Sequence, residues 1–516
     1  MHPQRWGDPA AAQPLSDTVR GLVDAFVGTR DTPASAVVTL PESGLSQELL
    51  AALRAAVGAD TVLLDDETRR LRTRGKSTLD LLRARANDLS DAPDAVVRPG
   101  SHEDVAAVLA WAVEHHVAVV PFGGGTCVTG GLVARRDGFT GVVSLDLVRL
   151  DRLLSVDDVS RTAVLQPGMR GPAAEAALAE HGLTLGHFPQ SFEFASIGGF
   201  AATRSSGQSS AGFGRFDDMV VGLRVATPIG ELVLGSSPAD AAGPDLREAV
   251  LGSEGTLGVI TEVTVRVRPV AAETAYEAWS FPTFAAGADA MRRLSQAGLL
   301  PTVLRLSDEA ETMVNLASQK DVGGVGVTGC VMIVGHEGES VAPRRAEVAS
   351  VLASRGGTDL GEERGRSWAD GRFHAPYLRD SMLDAGVLVE TVETATFWSN
   401  RDRLYTAVTS ALQDSLGEGT LVLCHISHVY ETGCSLYFTV ATAQADDPMT
   451  QWLAAKTAAS DAIIEAGATI THHHAVGTDH RPWLAREIGP VGVAMLRGLK
   501  DAVDPTGVLN PGVLIP

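Results

Sequence analysis

The stretch from Pro121 to Leu132 reads Pro-Phe-Gly-Gly-Gly-Thr-Cys-Val-Thr-Gly-Gly-Leu and follows the apolar run Val117 to Val120. Consecutive glycines accept positive φ and let a ligand approach the backbone. Successive N–H groups in such a turn form a nest for an anion. Thr126 and Thr129 add hydroxyls. The chemistry this suits is a grip on the pyrophosphate of a dinucleotide cofactor; the bland alternative is a surface turn. Two further blocks favour the cofactor. One runs Pro189-Gln-Ser-Phe-Glu-Phe-Ala-Ser-Ile-Gly-Gly-Phe-Ala-Ala-Thr-Arg-Ser-Ser-Gly207, dense in hydroxyls and bare amides. The other is Gly252-Ser-Glu-Gly-Thr-Leu-Gly-Val-Ile260. Arg204 suits a phosphate, although a structural ion pair is the commoner fate of one arginine.

Further along, a second set of reactive side chains gathers: Arg305, Tyr377-Leu-Arg379-Asp380, Cys424-His425-Ile-Ser-His428, Tyr437-Phe438 and His472-His473-His474. Neighbouring residues of a strand face opposite ways, so an extended triplet brings at most two imidazoles to one site. The spacing fits no zinc pattern, and no metal site is expected. Arg74-Gly-Lys-Ser-Thr78 ends like a phosphate loop but lacks the upstream glycine, which excludes ATP binding there.

These residues need elements to hold them. Residues 1–92 read as an irregular preface, with a charged, solvated helix near 60–74. Ser101 to Asp104 is a capping box. Val105, Val108, Leu109, Ala112 and Val113 then make one apolar helical face. Strands follow at 117–120, 141–147 and 162–166, a helix at 172–181, a loop at 205–214 and a hairpin at 218–233 turning at Pro228-Ile-Gly230. Residues 261–269 alternate as a strand, and Pro269 closes a unit spanning 93–269. Residues 270–480 then alternate strand and helix (276–281, 283–297; 302–306, 308–318; 327–334, 338–356), which predicts an α+β sheet domain. Residues 481–516 contain a helix at 484–503 and the turn-rich Asp504-Pro-Thr-Gly-Val-Leu-Asn-Pro-Gly512, whose stiff corners predict a segment folding back on the rest.

The totals bound the reading. A chain of 516 residues predicts two or three domains. Lys+Arg 42 against Asp+Glu 63 gives a net charge of −21, which excludes a nucleic-acid partner. Four scattered cysteines make no disulfide framework, so a reducing, cytoplasmic compartment is expected. Neither a signal peptide nor an 18-residue apolar run is legible.

Together the three glycine blocks and the ending Asp504 to Gly512 resemble the FAD-binding oxidoreductases of the vanillyl-alcohol oxidase type, over nearly the whole chain. That resemblance implies an α+β fold: a two-lobed FAD-binding, PCMH-type domain, an α+β cap, and a C-terminal segment returning to the FAD domain. It carries cofactor contacts onto Pro121, Phe122, Gly123, Gly124, Gly125, Thr126, Cys127, Thr129 and Gly130. It carries others onto Gln190, Ser191, Ser196, Gly198, Gly199, Thr203, Arg204, Ser205 and Ser206, and onto Glu254, Gly255, Thr256, Leu257, Gly258, Val259 and Ile260. The glycine loop holds no histidine, so the FAD is expected to be non-covalent.

Within that family, Trp6-Gly7, Arg74-Gly-Lys-Ser77, Ser191-Phe-Glu-Phe194, Pro376-Tyr-Leu-Arg-Asp380, Tyr437-Phe438 and the histidine triplet resemble the alkylglycerone-phosphate synthases. Those enzymes replace the acyl group of acylglycerone phosphate by a long-chain alcohol through an adduct at flavin N5, a step of ether-lipid synthesis. The likeness implies Tyr437 as acid/base, His472, His473 and His474 as support for the reacting group, Arg379 on the substrate phosphate and Arg305 beside substrate or flavin. A tyrosine in that role is expected to have its pKa lowered by nearby His and Arg. It also implies a small-molecule or lipid substrate, peripheral membrane contact and a homodimer. Departures are Gln190 for an aspartate, Cys127 for a serine, and Thr478-Asp479 where a lysine is usual, which bears on the substrate if that lysine neutralises phosphate. The alternatives are a D-2-hydroxy-acid dehydrogenase or alcohol oxidase of the same fold, against which His473 stands where a glutamate is usual, and a flavin-free binding protein.

Overall fold

The computed structural model describes residues 1–11, 14, 15, 17–318 and 329–516. In the first lobe, the helix His102–His115 starts where Ser101 Oγ accepts the Asp104 N–H at 3.1 Å. The Asp104 carboxylate takes the N–H of Gly100 at 2.8 Å rather than that of Ser101, so only half of the expected box forms. Val105, Val108, Leu109 and Ala112 bury fully, as their spacing requires. They cover a four-stranded sheet ordered Val62–Leu63, Ala95–Val97, Gly141–Asp146, Val117–Phe122.

The stretch read as an irregular preface is in large part regular. Helix Gln47–Val57 packs on His102–His115, and Val62–Leu63 pairs with Val96 and Val97. The charged run forms helix Asp66–Leu71, yet Arg69 in it is buried and donates to the carbonyls of Pro41 and Pro93. Polar composition hid this, because a buried arginine satisfied by carbonyls looks in sequence like a solvated one.

The second lobe is an antiparallel sheet ordered Leu153–Asp157, Thr162–Leu165, Val259–Arg266, Val220–Thr227, Gly230–Leu234. It includes the expected hairpin. Two short helices, Ile197–Thr203 and Ser210–Phe213, sit on its approach to the cap; the second interrupts the stretch expected as loop.

The cap holds a seven-stranded antiparallel sheet, ordered Thr358–Asp359, Glu273–Phe281, Cys330–Gly338, Val303–Ser307, Leu421–Ile426, Gly433–Ala443, Val387–Phe397. Residues 327 and 328 of the strand expected at 327–334 lie outside the described residues. Helices including Phe284–Gln296, Arg401–Leu416 and Pro448–Glu465 bury one sheet face through Leu304, Leu306, Cys424, Leu436 and Phe438. Side-chain period two then turns Arg305, His425 and Tyr437 to the opposite face, toward the two lobes.

The C-terminal helix Arg481–Val503 breaks at Gly489 (φ 69°) before Pro490. The segment after it does fold back. Asp504 accepts the N–H groups of Val508 and Leu509, and Leu509 bridges Val119 of the first sheet. Buried Asn510 (φ 39°) donates to the carbonyls of Gly131 at 3.0 Å and Glu254 at 2.7 Å, tying two cofactor blocks together. Among the described residues no helix is long and apolar enough to cross a membrane. Asn510→Ala strands two buried carbonyls and puts alanine in a left-handed conformation. Denaturant unfolding should show a loss of about 2–3 kcal/mol.

Candidate functional site

One cavity of about 430 Å³ lies between the two lobes and the free face of the cap sheet. All three glycine blocks line it, and so do Arg305, Arg379, Tyr437, His473 and His474. The strand Val117–Phe122 delivers the glycine loop to its edge. The backbone N–H groups of Gly124 to Val128 find no acceptor among the described residues. Donors left so in a nest call for an anion. The glycines are there for space: a Cβ on Gly124 would stand 2.0 Å from the Phe194 carbonyl oxygen, and one on Gly123 2.3 Å from Ser196 Oγ. Such a loop fits the pyrophosphate of FAD.

Most of the expected cofactor residues line the cavity: Pro121, Phe122, Gly123, Gly124, Gly125, Thr126, Cys127, Gln190, Ser191, Ser196, Gly198, Gly199, Thr203, Ser205, Ser206, Glu254, Gly255, Gly258, Val259 and Ile260. Five do not. Thr129 and Gly130 turn to the segment after the triplet, where Thr129 Oγ1 donates to the His474 carbonyl and Thr478 Oγ1 to that of Gly130. Arg204 caps its helix at φ 50° and spends its guanidinium on the Leu251 carbonyl and the Glu248 carboxylate. Thr256 is buried, its hydroxyl on the Ser253 carbonyl, and Leu257 packs inward. Thr478 is likewise outside the cavity wall, its hydroxyl on the Gly130 carbonyl. Asp479 beside it holds Lys456 at 2.8 Å.

The histidine triplet is a turn, not a strand, and this corrects the two-face expectation. Its organiser is Glu393, which the sequence did not single out. That carboxylate, with no exposed side-chain surface, accepts the N–H of His472 at 2.7 Å, of His473 at 3.2 Å and of His474 at 3.0 Å, and the Thr471 hydroxyl. Strand pairing sets Glu393 opposite Tyr437. The three imidazoles therefore cluster around the phenol: His473 stacks on it at 6.0 Å and His474 meets it edge-on at 5.4 Å. His472 sits behind, bonded to Tyr430 Oη at 2.6 Å and stacked on His428. His428, whose Nδ1 contacts the hydroxyls of Ser206 and Ser210, brings its ring nitrogens within 4.8 Å of those of His472 and His473, a group able to hold a metal ion that linear spacing could not reveal.

On the other side of Tyr437, His425 stacks at 4.7 Å and 19°. Buried Glu311 fixes it at 3.1 Å and binds Arg305 at 2.8 Å. Arg379 donates one N–H to the Lys76 carbonyl at 2.8 Å; its Nε and the other terminal nitrogen are buried without an acceptor. Trp6 also lines the cavity, and its backbone N–H is held by Asp380 at 2.6 Å.

Burial dominates the titration of this cluster. It pushes Tyr437 up to about 12, against the pull of the Thr391 hydroxyl, so the expected lowering by neighbours is not what the fold provides. It also holds His428 and His472 well below 6.5 and His474 at about 3. Glu393 is also held well below the carboxylate range: burial alone would raise it, but the contacts of His473, His474 and His472 outweigh that. Burial raises Glu254 to about 7 although the N–H groups of Val476 and Gly477 oppose it.

Comparison with known proteins agrees with this geometry. The family described as "FAD binding domain" matches residues 93–235, and "FAD linked oxidases, C-terminal domain" matches 270–514. The alkyldihydroxyacetonephosphate synthase of Dictyostelium discoideum is 35% identical over 481 residues, 88% of this chain and 78% of that protein. The synthase of Trypanosoma brucei brucei is 33% identical over 513 residues, 94% and 83% respectively. A solved alkyldihydroxyacetonephosphate synthase superposes with a TM-score of 0.83 at 30% identity, covering 99% of this chain and 98% of that one.

Two outcomes follow from the site. Gly124→Ala forces the loop off Phe194, and the purified variant should show a lower ratio of flavin to protein absorbance than the parent. The neutral histidines gain protons on unfolding once the pH drops below 6.5. The unfolded state then binds more protons, so unfolding free energy must fall as pH falls through that value. Denaturant titrations across that range should show the fall, and it should be shallower in His428→Asn.

Proposed function

Because this chain belongs to the alkyldihydroxyacetonephosphate synthase family of FAD-dependent enzymes, we propose that it exchanges the acyl group of an acylglycerone phosphate for a long-chain alcohol. The observation that carries this is Arg379: a guanidinium in the cavity wall with two buried nitrogens and no acceptor, where a phosphate monoester completes it. FAD would be held along the glycine loop Gly123 to Val128 and would supply the nucleophilic flavin chemistry for an exchange without net oxidation.

The chain's own part is positioning and proton handling. Tyr437, kept neutral by burial, hydrogen-bonds the departing carboxylate and relays to it the proton of the incoming alcohol hydroxyl, so the exchange balances. His473 and His474 border the phenol as it changes charge, and His472 supports them from behind through Tyr430 and His428. Glu311 locks Arg305 and His425 against the other face of the phenol. Closing these groups in a sheet-walled cavity strengthens each electrostatic contact.

Membrane contact suits a lipid substrate. It is supported by Val491 and Met495, 73% and 67% exposed and one helical turn apart on Arg481–Val503, and liposome flotation checks it. Four free thiols suit a reducing compartment.

Anaerobic flavin spectroscopy tests the reaction. Acylglycerone phosphate should release fatty acid with no lasting bleaching of the oxidised flavin band. Bleaching by a D-2-hydroxy acid or a simple alcohol would instead make this a redox enzyme and end the exchange reading. Tyr437→Phe should keep its flavin and lose turnover by about 10²-fold or more. Arg379→Ala should raise KM for the phosphate substrate by about tenfold or more.

A further inference from the structure

A second cavity, of about 170 Å³, shares Gly123 to Gly125 with the first. These glycines form one of its walls. The other is the segment Arg70 to Lys76, with Arg170 beside it. The Arg74-Gly75-Lys76 sequence that fails as a nucleotide loop is laminated onto this one: Lys76 N–H donates to the Cys127 carbonyl at 2.6 Å, and a Cβ on Gly75 would stand 2.1 Å from that oxygen.

The charges around this cavity do not cancel. Arg74 is engaged by Asp91. Arg72 must share Asp146 with Arg98, both at 2.9 Å. Arg70 pairs with Glu67 at 2.9 Å, but its Nε is buried without an acceptor. Lys76 is 4% exposed, and its ammonium meets only the carbonyls of His2 and Pro3. The Arg170 guanidinium makes no hydrogen bond or ion pair among the described residues and lies over the Phe194 ring at 5.8 Å. The single carboxylate in the wall is Asp80, which already accepts the N–H of Ser77 and is pushed by burial up to about 6. Burial lowers Lys76 to about 8 and lowers Arg170 as well.

Uncompensated cations held away from water are costly, and a counter-anion relieves that cost. The volume is below the roughly 300–1,000 Å³ of sites for larger organic ligands, which leaves room for a small ion. Guanidinium forks match phosphoryl oxygens in geometry as well as charge. We propose that this cavity binds a small phosphoryl dianion, inorganic phosphate or the head of a phosphate monoester, at a site separate from the cofactor and from the substrate arginine. An ion there neutralises Lys76, whose carbonyl anchors Arg379, and so braces the wall between the two cavities.

The test uses the full chain saturated with FAD. Calorimetric titration with inorganic phosphate, and in parallel with glycerol phosphate, should reveal one site that persists in Arg379→Ala; which of the two binds there more tightly identifies the source. Arg170→Met keeps the contact with Phe194 and removes the free guanidinium, and should weaken binding by about tenfold or more with the flavin retained. Lys76→Met should weaken it similarly. Absence of binding at millimolar phosphate overturns the proposal. So does phosphate binding that is found only in the flavin-free chain and vanishes on FAD saturation, which would place it in the cofactor's own seat, and so does binding that survives Arg170→Met but is lost in Arg379→Ala.

Discussion

A single carboxylate with no exposed side-chain surface fixes the geometry around Tyr437. Glu393 draws in four donors from one turn, and all three histidines of that turn take their direction from it. An ionised group is stable in such a place only when every lone pair is answered, and hydrogen bonds to a charged acceptor are the strong kind. The result is a division of labour by charge. The carboxylate stays ionised at the centre while burial keeps His428, His472 and His474 neutral around it. Because the antiparallel register sets Glu393 opposite Tyr437, the same contact places the imidazoles over the phenol.

What was legible in the sequence follows from this. Glycines announce themselves because backbone proximity tolerates nothing else, so the loop at 121–132 and the block at 252–260 were found from residue type alone. The cap was legible from its alternation: strands expected at 276–281 and 302–306 occur as Glu273–Phe281 and Val303–Ser307. Glu393 and Glu311 were not, since each acquires its role from a partner brought by strand pairing or by a distant turn; His428 stood in the cluster read from the sequence, but not its place beside His472 and His473. The triplet had no periodicity to declare its turn. Arg204 resolved to the commoner fate of a lone arginine, an ion pair. The helices at 47–57 and 78–85 were missed because charged residues mask faces that bury.

Position 478 shows how misleading a departure from a family pattern is without geometry. A lysine absent next to three catalytic-looking histidines suggests a changed substrate. Here Thr478 faces the back of the glycine loop, and the cation beside that turn is Lys456, delivered by the helix Pro448–Glu465 and paired with Asp479.

Asn510 joins Gly131 to Glu254 across a separation of 379 residues from the first of them. On a ribosome moving at about 5–20 residues per second, that interval is roughly 20 to 80 s. Throughout it the strand Val117–Phe122 lacks its bridge from Leu509 and the glycine loop lacks its tie. The lobes can collapse during synthesis, but the flavin seat is completed only after the cap has been made. Completion of that seat is thereby deferred to a late, nearly whole chain.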